Sequence, residues 1–243
     1  MTRLNIFISL LVISSAANAG TCNSNSELLG AKYEVSSNNK LTKTKSTREV
    51  SLWRNHKQVA HQHADSQITE IWEQTPNGML KLTRHFDAHH RGIEYDPYDV
   101  NEGKGETDWS SKFQLISQQL KDQMELKKSK GEGCERIEKY KLKLKNAKFE
   151  LEWLPEQQLV KSYSETSATG KVRWKLEETI GDPARVKQVF AMRSDYKTTD
   201  YADIGDNESD PFLLNMMNLG FIEHSSSGFY DAEGHDIGQH HYH

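Results

Sequence analysis

Between Lys139 and Trp153 the chain alternates apolar and charged residues on both sides of a turn, and no other feature restricts its fold as much. Successive side chains of a strand point to opposite faces, so this alternation describes strands with one buried and one wet side. With the turn at Asn146–Ala147, Leu144 faces Phe149, Leu142 faces Leu151 and Tyr140 faces Trp153. The same register sets Lys143 against Glu150 and Lys141 against Glu152 on the other side. A slip of one residue would exchange the two faces, so the pattern predicts an antiparallel hairpin whose sides are fixed.

Similar runs flank it. REVSLWRN and QVAHQHADSQITEIWEQ read as strands joined by a turn near His56-Lys57, and Pro76-Asn77-Gly78 turns the chain into MLKLTRHFDAHH. IEYDP closes this first meander, and residues 96–108 form a loop. QLVKSYSE and KVRWKLEETI make a further hairpin around Ala168-Thr169-Gly170. Between the meanders, Trp109, Phe113, Ile116, Leu120 and Met124 recur at helical spacing and predict one long helix over 109–128. Thr107 or Asp108 would cap its start, and Lys127, Lys128 and Lys130 suit its negative end. Asp182-Pro183 opens a helix carrying Val186, Val189 and Phe190, and Asp210-Pro211 opens another carrying Leu213, Met216 and Met217.

Apolar residues make up only 35% of the chain, too few for the long buried strands of a parallel sheet covered on both faces. The expectation is an α+β fold: an antiparallel meander sheet of about six to eight strands, flat or curled into a half-barrel, with the long helix between two meanders and short C-terminal helices. This organisation is similar to the curled half-barrel with helix cover of periplasmic lipoprotein carriers, a likeness of pattern with no shared motif.

Arg3, the apolar run Leu4–Ile13 and the small-x-small sequence Ala17-Asn18-Ala19 make residues 1–19 a cleavable signal peptide. The apolar run is too short for a transmembrane anchor, which needs about 20 residues. Residues 20–47, rich in Ser, Asn, Thr and Lys, read as a flexible arm; 48–222 as one α+β domain; 223–243 as a His- and Asp-rich tail. Removing the leader takes away Arg3 and no acid, leaving 30 Lys plus Arg against 35 Asp plus Glu, a net of −5. That balance disfavours nucleic acid as a partner. Cys22 and Cys134 are the only cysteines, so in an oxidising compartment one disulfide is the economical reading, with two free thiols as the alternative.

No G-x-S-x-G, H-E-x-x-H, C-x-x-C or glycine-rich phosphate loop occurs, so catalysis is unsupported by motif. The leading expectation is an exported, non-enzymatic binding or accessory protein. Its concave sheet would hold an apolar small molecule or a protein client, with Phe113, Tyr140, Trp153 and Trp174, beside Leu142 and Leu151, at the sheet–helix interface. The competing reading is zinc or copper binding or delivery through the eleven histidines. Asp231, Glu233, His235, Asp236, His240, His241 and His243 concentrate the ligands in the tail. His61 and His63 share a strand face, but pairing across Asn77-Gly78 sets His85 opposite Glu70, on the even-numbered face away from them, unless a bulge near Asp65 intervenes. The acidic run Asp195, Asp200, Asp203, Asp206, Glu208 and Asp210 lacks calcium-loop spacing and reads as a solvated connection, with Asp210 as a helix cap. A hydrolase with an acidic site is the third reading.

Overall fold

The computed structural model describes residues 25–100, 104–207 and 209–222, and most of them belong to one large open sheet. Its first meander comprises β1 (Leu28–Asn39), β2 (Thr44–Asn55), β3 (Gln58–His63), β4 (Ile68–Gln74), β5 (Leu80–Phe86) and β6 (Arg91–Tyr95). The second comprises β7 (Glu125–Lys130), β8 (Ile137–Lys143), β9 (Ala147–Leu154), β10 (Leu159–Ser167) and β11 (Gly170–Ile180). β11 lies antiparallel against β1, so the two meanders meet at a central seam. A short β12 (Lys197–Asp200) adds parallel to β6, leaving β12 and β7 as the two edges.

From Leu28 on, the seam corrects the expectation of a flexible arm over 20–47; residues 20–24 lie outside the described residues. Leu29, Ala31, Tyr33 and Val35 alternate inward along β1 and are buried, and β1 pairs with β2 along its whole length. Polar Ser, Asn, Thr and Lys residues crowd the exposed ends of these two strands and conceal the short alternation between them.

The long helix is also corrected. Helix α1 (Trp109–Gln114) stops at Leu115, whose φ of 62° leaves the helical region, and α2 (Gln118–Gln123) restarts from Ser117. Two serines take backbone N–H groups that a continuous helix would have bonded internally: Ser117 Oγ accepts from Leu120 at 3.1 Å and Ser110 Oγ from Gln118 at 2.8 Å. Lys127, Lys128 and Lys130 therefore lie on edge strand β7.

QVAHQHADSQITEIWEQ is two strands, not one. The chain turns at residues 64–67, where Gln67 has φ 54°, so β3 and β4 pair with each other. The β8–β9 hairpin keeps its predicted faces but shifts register by two residues, because its turn is centred on Lys145–Asn146 instead of Asn146–Ala147: Leu144 N–H donates to Ala147 O at 2.8 Å. Leu142 thus opposes Phe149 and Tyr140 opposes Leu151, while Lys141 pairs with Glu150 and Lys139 with Glu152.

Two apolar clusters cover the inner face. One joins Leu52, Phe149, Leu151 and Trp153 to Phe113, Ile116 and Met124 of the α1–α2 segment. The other joins Trp72, Leu82 and Ile93 to Leu213 and Met216 of α4 (Pro211–Asn218), and Trp109 packs against both. On the outer face, Val186 and Phe190 of α3 (Pro183–Ala191) cover Trp53, Ala60 and Ile180. Gly30 lies beneath the Trp53 ring, where a Cβ would meet ring carbons at 2.6 Å. Asp182 and Asp210 cap α3 and α4, each accepting a backbone N–H at 2.9 Å.

Candidate functional site

Cross-strand pairing sets Tyr140, Leu151, Tyr163, Trp174 and Val35 side by side across β8, β9, β10, β11 and β1. Directly paired residues share a face, so this is one apolar row on the inner side. The row beside it carries Leu142, Phe149, Glu165 and Val172. Leu151, Phe149 and Trp174 are buried, whereas Tyr140, Leu142, Tyr163 and Val172 pack on the same cluster and keep part of their surface open. Trp174 stands edge-on between Tyr163, at 6.0 Å, and Tyr33, at 6.5 Å. Lys121 of α2 lies 4.6 Å from the Trp153 ring and 5.5 Å from that of Tyr140, closing one side of the surface. Tyr140 donates its hydroxyl to Glu138 at 2.6 Å, and burial together with that carboxylate pushes the phenol up to about 12.

The structure therefore separates the four residues singled out from sequence. Tyr140 and Trp174 belong to the row that reaches the open margin, and Trp153 and Phe113 lie in the filled core.

Beneath α1 the inner face holds a line of charge that sequence reasoning missed. The turn at 64–67 brings His61 directly opposite Glu70, and β5 brings Arg84 opposite Glu70 on the far side. Arg84 donates to Glu70 from Nε at 3.1 Å and from Nη2 at 2.8 Å, and from Nη1 to Phe221 O at 2.7 Å. Burial is the largest single influence on the Glu70 carboxyl and works to raise it, but the charge and hydrogen bonds of Arg84, with the neighbouring imidazoles, together hold the group below the ordinary carboxylate range. His61 Nε2 lies 2.7 Å from Lys112 O, which makes it the donor, and burial pulls the imidazole down to about 4. Lys112 reaches over the Trp72 ring at 4.4 Å and pairs with Glu106 at 3.4 Å. Two cations thus meet two carboxylates, and the histidines beside them are neutral at pH 7.

Arg54 makes a second buried anchor. It donates to four backbone carbonyls: Phe113 at 2.6 Å, Ser26 at 3.0 Å, Gln157 at 2.8 Å and Gln158 at 2.6 Å. Its guanidinium also lies 3.9 Å from the Phe113 ring. Burial lowers its pKa to about 9, which leaves it cationic at neutral pH.

His85 opposes Thr69 rather than Glu70 and turns to the outer face, where its ring meets Tyr196 at 5.6 Å. The objection to a shared histidine site thus holds for His85, by a different register. Among the described residues no three His, Cys, Asp or Glu side chains converge as a metal site. The tail ligands Asp231, Glu233, His235, Asp236, His240, His241 and His243, with the zinc or copper assigned to them, lie outside the described residues, as do the leader and Cys22. In the acidic run, Asp200 caps a turn through Ala202 N–H at 2.9 Å, and Asp210 both caps α4 and pairs with Arg91 at 2.8 Å. No described helix is long and apolar enough to cross a membrane.

No protein-family model matches the chain, and none of the curated proteins is similar enough in sequence to match. Many solved structures overlap it partially, among them the three that follow. PNGF-II aligns over 73% of this chain and 33% of its own, with 7% identity and a TM-score of 0.37, so the chain spans about a third of that protein's length. A DUF1329 family protein from Desulfovibrio piger aligns over 65% of this chain and 87% of its own, at 8% identity and TM-score 0.32. An outer membrane lipoprotein-sorting protein domain from Vibrio parahaemolyticus aligns over 62% and 83%, at 7% identity and TM-score 0.29. Overlaps this loose carry neither fold nor function across, so a function has to be read from this chain's own residues.

Proposed function

We propose that this chain is an exported binding or accessory protein. The inner face of β8–β11 receives an apolar ligand or an apolar segment of a client protein. One observation carries the reading: Tyr140, Leu142, Tyr163 and Val172 continue the main apolar cluster, yet the α1–α2 cover leaves them partly open. Apolar surface on the margin of a core gains about 25 cal/mol for each Å² removed from water, and aromatic rings supply that area with little loss of side-chain freedom. Export follows from the leader over residues 1–19.

Titration with a fluorescent amphiphile, read by energy transfer from tryptophan, tests the proposal. Tyr163→Asp and Val172→Asp should each weaken binding at least about tenfold, the equivalent of losing one partly buried apolar side chain, while thermal melts stay close to those of the parent. Unchanged affinity in both variants would remove β8–β11 as the site.

A further inference from the structure

We infer that one end of the sheet docks on an anionic bilayer surface, through a row of lysines and two leucine-tipped hairpins. The row is fixed by pairing: Lys45 opposes Asn38, Asn38 opposes Lys171, Lys171 opposes Thr166, Thr166 opposes Lys148, and Lys148 opposes Lys143. Six strands, β2, β1, β11, β10, β9 and β8, thus present four lysines in one line on the outer face. At the usual strand spacing the line is about 24 Å long.

The charge is not balanced locally. Lys148 has Glu150 at 3.2 Å, but Lys45, Lys171 and Lys143 make no ion pair among the described residues. Lys148 and Lys143 are direct cross-strand neighbours, an arrangement that costs stability unless an anion lies between or above them. The row behind holds Arg173 and Lys141 against Glu150, and the next sets Lys175 and Lys139 against Glu49, Glu34 and Glu152. Positive charge therefore rises toward this end, in a chain whose net charge is −4.

Beyond the row lie the turns. Asn39 Oδ1 accepts from Leu41 N–H at 2.9 Å and from Thr42 N–H at 3.2 Å, a turn that leaves Leu41 75% exposed between Lys40 and Lys43. The β8–β9 turn leaves Leu144 41% exposed between Lys143 and Lys145. Four strands separate the two apices, about 20 Å, and both project from the same end of the sheet. A nucleic acid would use the lysines and leave both leucines in water. A bilayer uses both, taking apolar side chains below the headgroups and lysines at the level of the phosphates.

Vesicle flotation tests this with the purified protein. It should float with vesicles of phosphatidylcholine plus phosphatidylglycerol, remain below vesicles of phosphatidylcholine alone, and detach as salt is raised. Each lysine near such a surface is worth about fivefold in partitioning, so Lys143→Glu with Lys171→Glu should reduce it on the order of 25-fold or more. Leu41→Ser with Leu144→Ser should also lower partitioning, while binding to soluble heparin stays as in the parent. All four positions are exposed, and unchanged thermal melts would show that the fold survives. Failure to float with anionic vesicles at low salt overturns the inference. Flotation unaffected by the leucine changes overturns it equally, in favour of plain polyanion binding.

Discussion

Glu70 is a buried carboxylate, which is tolerated only when paired and hydrogen-bonded. Arg84 supplies the pair, and Phe221 O takes up the remaining guanidinium edge. Glu70→Ala would leave Arg84 buried without its counter-charge, and a denaturant melt should show a loss of about 3–5 kcal/mol. His61 sets a pH dependence. Its folded pKa of about 4 lies below the unfolded value of 6.5, so the unfolded chain binds more protons between the two. Its contribution is therefore complete above pH 6.5 and is lost as pH falls toward 4. His63 is lowered as well, and the lowered carboxyl of Glu70 acts in the same direction. Stability measured by denaturant melts should rise from pH 4.5 to 7, and His61→Gln should flatten the slope. A flat profile in the parent would mean that His61 is not buried neutral. This cluster was hidden in the sequence because a turn of four residues decides whether His61 and Glu70 lie on one strand or face each other across two.

At the scale of elements, the β8–β9 hairpin shows what alternation does and does not determine. Its two faces were legible, since Leu142, Phe149, Leu151 and Trp153 fall inward in any register that differs by two. Which residues pair was not legible, because that depends on whether the turn is centred on Lys145–Asn146 or on Asn146–Ala147. Leu151 is 1% exposed, so Leu151→Ala should cost about 2–5 kcal/mol. Leu142 is only partly buried and should cost less. The Lys141–Glu150 pair is exposed, and Lys141→Ala should change stability by no more than about 1 kcal/mol. A double-mutant cycle should find coupling between Lys141 and Glu150 and none between Lys141 and Glu152. The α1–α2 break is invisible to periodicity: the apolar spacing of 109–124 is helical, and Ser110 and Ser117 interrupt it by bonding backbone N–H groups.

For the whole molecule, the sequence pattern pointed to an antiparallel sheet with a long helix between two meanders; the sheet forms, the long helix does not, and the strands were undercounted. Twelve form among the described residues, because β1 was concealed by its polar ends, one apparent strand was two, and β7 and β12 carry too few apolar residues to announce themselves. The seam between β1 and β11 is long-range in sequence, which no local pattern reveals. The proposed export can be checked in two simple ways. Secreted material should begin at Gly20, and Cys22 and Cys134 should resist alkylation until a reductant is added. Material starting at Met1, or cysteines alkylated at once, would contradict export and the disulfide respectively. The most direct test of the binding role is native mass spectrometry of protein purified from its export compartment without detergent. The expected spectrum shows the mature chain with an apolar adduct that organic solvent removes and that Tyr163→Asp fails to retain. A bare chain that takes up no amphiphile when supplied with one would contradict the role assigned to the inner face.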